Sequence, residues 1–199
     1  MDEGYIKYRA KHDDVEIQLP PLADELIKAR DYLRTLGFVG VYDNGIGFGN
    51  CSFRTKENEF IITGSATGEI EKLSLKHLCL VDKFDIEKNT VYSKGQTGAS
   101  SESMTHGAVY SANDKINCVL HIHSKKMFDF MAKSPDYRST AKNIPYGTPQ
   151  MATAVMDEVK GIVAAHGIIV MLGHDEGIIA FGENISATLE QIEKIKTLC

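Results

Sequence analysis

Apolar residues recur at helical spacing through Leu22, Leu26, Ala29, Leu33 and Leu36, and Gly37 follows as a stop, so the pattern predicts a first helix over 22–36. Phe38 to Tyr42 then reads as a strand, followed by the glycine cluster Asn44-Gly45-Ile46-Gly47-Phe48-Gly49-Asn50. Short strands are predicted at Ser52 to Thr55, Phe60 to Thr63, Leu78 to Asp82 and Thr90 to Ser93, with turn chemistry at Glu57-Asn58 and Glu87-Lys88-Asn89 between some of them. The second half alternates helix and strand. Helices are predicted at Glu102 to Ser111, Ser124 to Ala132, Thr148 to Ala165 and Ile185 to Leu198. Strands are predicted at Asn117 to His123, Ile168 to Leu172 and Gly177 to Phe181. Thr148-Pro149 supplies an N-cap followed by a first-turn proline. Short turns between the early strands imply an antiparallel sheet, and helices before, between and after the strands imply an α/β fold in three α/β/α layers.

The 199 residues suit one compact domain over 1–199, with no internal repeat or low-complexity linker. Lys and Arg number 22 against 27 Asp and Glu, a formal charge of -5 that offers no basic footprint for nucleic acid. The four cysteines form no C-x-x-C pair, so neither a zinc knuckle nor a secreted disulfide framework is expected. The acidic, polar N-terminus does not read as a signal peptide, and the apolar runs are too short to span a bilayer; a cytoplasmic protein without membrane contact is the expectation.

The sharpest chemical signal is His121-Ile122-His123 at the end of an apolar strand. Side chains alternate along a strand, so His121 and His123 share a face and can grip one divalent ion, while Ile122 points into the opposite layer. Two polar residues at a strand end are the plainer alternative. A catalytic metal usually has three protein ligands. Among the other histidines, His174 stands out in the tight turn Gly173-His174-Asp175-Glu176-Gly177 between two apolar strands, with Glu176 as a competing ligand. His12 sits in a charged N-terminal stretch read as mobile, His77 in a surface-like helical turn, and His166 at a predicted helix end. Ser100-Ser101-Glu102 precedes a helical run, which puts hydroxyls and free amides at a helix N-terminus, where anions bind. A plain cap with Glu102 in the first turn is the alternative. His106, four residues on, either orients that carboxylate or packs. Gly49 leads into strand-like rather than helical sequence, which rules out a dinucleotide fingerprint but leaves a backbone phosphate nest open; Thr63-Gly64-Ser65-Ala66-Thr67-Gly68 has the same character.

Taken in order, these pieces resemble the class II aldolase/adducin family, fuculose-phosphate aldolases among its members. The resemblance rests on Gly49-Asn50-Cys51-Ser52-Phe53-Arg54, Ile61-Ile62-Thr63-Gly64 with Thr67-Gly68, and Ser100-Ser101-Glu102 with Thr105-His106. Val119-Leu120-His121-Ile122-His123-Ser124, Pro145-Tyr146-Gly147-Thr148-Pro149 and Gly173-His174 through Ala180 complete it. It implies a central, mostly antiparallel sheet between helices and one divalent ion per chain, Zn2+ or else Mn2+ or Co2+, on His121, His123 and a third histidine. It implies Glu102 as acid/base and contacts to a substrate phosphate at Asn50, Thr67, Gly68, Ser100 and Ser101. The implied reaction is aldol cleavage of a small phosphorylated ketose through a metal-stabilised enediolate, in a homotetramer with sites at subunit contacts. The family's tyrosine acid falls on Tyr137, the tyrosine between His123 and Pro145. Two alternatives stand beside this: a dehydratase or epimerase on the same metal site, and a non-catalytic interaction module like the adducin head. The insertion in His174-Asp175-Glu176-Gly177 leaves the third ligand open between His174 and Glu176.

Overall fold

The computed structural model describes residues 5–199; the reading of the N-terminus as other than a signal peptide falls partly on residues 1–4, outside the described residues. Eight strands form one sheet in the order β1-β7-β6-β5-β4-β8-β10-β9. They are β1 (Arg9–Asp14), β4 (Asn50–Lys56), β5 (Glu59–Thr63), β6 (Leu78–Asp85), β7 (Thr90–Gly95), β8 (Cys118–His123), β9 (Gly167–Val170) and β10 (Gly177–Gly182). Every pairing is antiparallel except β1 with β7. Two short strands, β2 (Gly40–Val41) and β3 (Gly47–Phe48), pair separately, so the strand expected from Phe38 to Tyr42 shrinks to a small hairpin beside the sheet.

Helices cover both faces. On one side α2 (Ser103–Ala112) and α4 (Pro149–Lys160) bury Met104, Ala108, Met151 and Val155 with Phe60, Val119 and Phe181 of the sheet. On the other, α1 (Leu22–Thr35), α3 (Lys125–Ala132) and α5 (Ile185–Leu198) bury Leu26, Leu33, Met127 and Ile192 with Phe53, Leu120 and Ile122. The alternation of β8 explains both clusters: Val119 faces one layer, Leu120 and Ile122 the other. The three-layer α/β/α architecture with a mostly antiparallel sheet is as the sequence implies. No helix among the described residues is long and apolar enough to cross a membrane.

Three expectations need correction. The stretch around His12, read as mobile, is β1, held to β7 in register from Arg9 with Thr90 to Asp14 with Gly95; His12 Nδ1 lies 3.0 Å from the Ser93 hydroxyl. The helix expected to run to Ala165 stops at Gly161, and Val163 is fully exposed. Glu102 is the N-cap of α2 rather than a first-turn residue, because Ser103 donates backward to the Ser100 carbonyl at 3.0 Å.

Candidate active site

Register on β8 sets the first two imidazoles. His121 lies opposite Asn50 of β4, and His123 opposite Gly177 of β10. The chain entering β10 is a tight turn in which His174 N–H donates to Met171 at 2.8 Å and Gly177 N–H to His174 at 2.9 Å, with Glu176 in the left-handed region at φ 64°. That turn brings His174 to the pair. Ring centroids are 4.9 Å apart for His121 and His123, 4.9 Å for His121 and His174, and 4.7 Å for His123 and His174. One ring nitrogen from each lies within 4.8 Å of the others, a spread that small ring rotations close around an ion with bonds of about 2 Å. Glu176 is not in this group; it lines an outer groove with Asp43 and Lys125.

All three rings are buried. Burial first, and the neighbouring His174 second, holds His121 and His123 well below the usual imidazole range, so both are neutral, as metal ligation requires. Each has an orienting partner. The Tyr42 hydroxyl lies 2.8 Å from His123 Nδ1, and the Asn50 side-chain amide 3.3 Å from His121 Nδ1. Asn50 presents its side-chain nitrogen to His121, and its buried oxygen has no hydrogen-bond partner among the described residues. A half-turn of that amide lets Oδ1 accept from His121 Nδ1–H, which makes Nε2 the ligating atom.

Glu102 is 2% exposed. Its Oε2 accepts from the Thr105 hydroxyl at 2.7 Å, while Oε1 has no hydrogen-bond partner among the described residues. His121 Nε2 is likewise unpartnered. Both residues line one cavity of about 20 Å³, together with His123, His174 and Tyr146, which is room for one water-sized occupant. An unpaired buried imidazole nitrogen is costly, and a divalent cation held by the three histidines satisfies it, while Glu102 stands outside that ligand group and faces the same cavity. The residues therefore fit a metal ion.

A larger cavity of about 310 Å³ adjoins it, lined by Asn50, Thr67, Gly68, Ser100 and Ser101, all five of the residues expected to meet an anion. Ser100 Oγ accepts the Glu102 amide at 3.4 Å, so this loop is also a cap. Sequence reasoning missed what holds the other loop. Arg30 of α1, 1% exposed, donates to the carbonyls of Thr67 and Ile70 at 2.6 Å and of Gly68 at 3.2 Å. Gly68 is needed there because a Cβ would run into the Gly40 carbonyl. Among the described residues lining either cavity there is no lysine or arginine.

At this site one expected residue lies elsewhere and one open alternative closes. Tyr137 is not brought to it within the subunit; its ring packs 5.9 Å from Phe130 in the layer of α1, α3 and α5. The tyrosine found there is Tyr146, stacked on His174 at 4.6 Å and 23° between planes. The motif Pro145-Tyr146-Gly147 carried that signal, though no role was read from it. His106 packs rather than orienting the carboxylate: its Nδ1 lies 2.7 Å from Ser52 Oγ, which is also 2.7 Å from the Tyr110 hydroxyl.

A family model described as Class II Aldolase and Adducin N-terminal domain matches residues 31–199. Among solved structures, an L-fuculose 1-phosphate aldolase is similar at 20% identity, over 92% of this chain and 86% of that one, with a TM-score of 0.69. The l-fuculose-1-phosphate aldolase from Thermus thermophilus is 20% identical over 89% of each chain, with a TM-score of 0.60. A sugar-phosphate aldolase from Thermotoga maritima is 14% identical over 88% of this chain and 90% of that one, with a TM-score of 0.66. At these identities the likeness is one of fold. No curated protein matches the sequence.

Proposed function

The chain belongs to the class II aldolase/adducin family, and from that premise we propose that it is a metal-dependent lyase that cleaves a small phosphorylated ketose by aldol chemistry. The observation that carries this reading is the convergence of three buried imidazoles on a cavity that Glu102, with its unpartnered oxygen, also lines, with a cradle of small-residue loops next to them. An interaction module has no use for that arrangement.

In this reading His121, His123 and His174 hold one ion per chain, Zn2+ before Mn2+ or Co2+ given the nitrogen donors. The ion supplies Lewis acidity to a substrate carbonyl and to the negative charge that develops beside it. Glu102 moves the proton next to that carbonyl, with Thr105 fixing one carboxylate oxygen so that the other is presented to substrate. Asn50, Thr67, Gly68, Ser100 and Ser101 hold the phosphate through amides and hydroxyls, so that remote binding energy fixes the reacting atoms. Tyr137, remote from its own subunit's site, takes the acid role only across a subunit contact of a homotetramer. Arg9–Asp14 join the same sheet as β1, so the reading takes 1–199 as one domain, in a cytoplasmic enzyme.

The test is a panel of ketose phosphates incubated with purified protein, with and without chelator. Chelator-sensitive release of dihydroxyacetone phosphate and an aldehyde is expected. Loss of water or inversion at a carbon, without cleavage, would replace the aldolase with a dehydratase or an epimerase; no turnover together with no bound metal would sink the enzyme reading.

A further inference from the structure

Residues 5–8 lie outside the region 31–199 that the family model matches, yet Tyr5 lines the larger cavity and Lys7 packs on Tyr146, which lines the smaller one. Arg9 starts β1 at the sheet edge, where its amide donates to Asn89 O at 2.7 Å and Asn89 Nδ2 donates to Lys7 O at 2.9 Å. From that anchor the preceding residues cross to the site as a strap. Tyr8, 7% exposed, shares its hydroxyl proton between the carbonyls of Ala99 at 3.1 Å and Ser100 at 2.9 Å, and so ties down the loop that bears Ser100 and Ser101. Lys7 Nζ stands 3.8 Å from the centre of the Tyr146 ring and 3.4 Å from the Tyr146 carbonyl. Gly147 is left-handed at φ 67°, and a methyl group on it would sit 3.4 Å from Lys7 Cδ and 3.7 Å from Glu102 Oε1. The lysine stem and the carboxylate thus flank the same point. Tyr5 lines the larger cavity beside Ser65, Thr67, Ser100 and Ser101. It brings an aromatic wall and an O–H donor to a lining that holds no lysine or arginine.

We propose that the strap Tyr5–Tyr8 is part of the substrate site. Tyr5 is a specificity-determining wall for a phosphate monoester, and Lys7 is a positioning residue that acts through Tyr146 on the metal-side end. This rests on the sugar-phosphate reading above. A cation held against the face of Tyr146 pins the ring that stacks on His174, so losing the charge loosens the reacting end without touching the anion cradle. Tyr5 acts at the other end, on binding alone.

The experiment measures inorganic phosphate affinity by calorimetry, and kcat and KM on whichever ketose phosphate is turned over, for the wild-type chain, Tyr5→Ala, Lys7→Met and Lys7→Arg. Tyr5 is 62% exposed, so its truncation leaves the fold intact. Tyr5→Ala is expected to weaken phosphate binding and raise KM about tenfold at unchanged kcat. Lys7→Met is expected to lower kcat about tenfold at unchanged phosphate affinity, and Lys7→Arg to restore it. If wild type binds phosphate and the variants match it in all three constants, the strap is a passive edge and the inference fails alone. If wild type binds no phosphate, the sugar-phosphate reading fails and takes this one with it.

Discussion

His121 and His123 are carried by a strand buried along its whole length, whereas the Ser65–Gly68 loop has no regular structure of its own and is held by two arginines reaching across from α1, the buried Arg30 foremost and Arg34 beside it. The two regions meet at Asn50, which pairs with His121 in the sheet and lines the larger cavity. Their construction differs in kind. A strand places ligands through register, and most of its backbone polar groups are satisfied by neighbouring strands, the His123 amide reaching outside them to Phe38 O at 2.9 Å. A loop places its amides only while its carbonyls have somewhere to go, and here they go to a buried guanidinium. Damage to the first should therefore be local and chemical; damage to the second should be partly a loss of stability.

The largest expected effect breaks the strand-borne half. His121→Ala should lower bound metal at least about a hundredfold, beyond the ten- to hundredfold loss typical of removing an outer-shell partner, while the unfolding transition stays cooperative. Elemental analysis after dialysis against low metal checks this. A variant with full metal content would mean that the convergence of the three rings is only packing. The next effect breaks the loop-borne half. Arg30→Met strips the guanidinium from the carbonyls of Thr67, Gly68 and Ile70, of which Thr67 O keeps the Ile70 amide at 3.2 Å and Gly68 O keeps Arg34 Nε at 3.4 Å, and should cost about 2 kcal/mol of stability. Phosphate affinity should fall with it while metal content stays normal. Denaturant titration and calorimetry on the same sample would show whether stability and phosphate affinity fall together, and unchanged stability would show that the loop stands without its clamp.

The two halves also differed in how far they could be read from the sequence. His121-Ile122-His123 was legible because a period of two on an apolar strand leaves only one way for the rings to point. The three layers were legible for the same reason, from periodicity. The choice of His174 over Glu176 was not, since it turns on a left-handed residue inside a five-residue turn. Arg30 was not either: an arginine on an amphipathic helix reads as solvated, and only the tertiary fold buries it at 1% exposure. β1 escaped notice because its residues are almost all exposed and show no apolar alternation; backbone pairing alone makes it a strand. Tyr137 and Tyr146 could not be told apart without knowing which layer each faces.

A third buried imidazole separates burial from convergence. His106 is as deeply buried as the site histidines, but its Nδ1 is committed to Ser52, and burial pushes it down to about 3. Its folded value lies below the unfolded value of about 6.5, so its contribution to stability is whole above that pH and is lost as pH falls from 6.5 towards 3. Over that window stability should fall by about 1.4 kcal/mol per pH unit for this one group. His106→Asn should remove that share of the slope in urea titrations, and metal loading should leave the share unchanged. A share that vanished on metal loading would mean His106 belongs to the site after all.

The smallest effect sharpens the comparison within the strand-borne half itself. Tyr42 is the outer partner of His123, its hydroxyl 2.8 Å from Nδ1, and it comes from the end of the small β2–β3 hairpin rather than from the sheet. If Nε2 of His123 holds the ion, Nδ1 carries the proton and donates it to that hydroxyl, which fixes both ring orientation and tautomer. Tyr42→Phe removes the acceptor but keeps the ring, which packs against Phe48 at 4.4 Å between centroids, so little stability should be lost. Metal affinity should drop about tenfold, the low end of what outer-shell changes cost, because strand register still aims the ring in the right direction. Competition with a chelator of known affinity measures it. A drop far above a hundredfold would mean that the hairpin rather than the sheet positions His123, and the contrast between a strand-built histidine pair and a loop-built cradle would no longer hold.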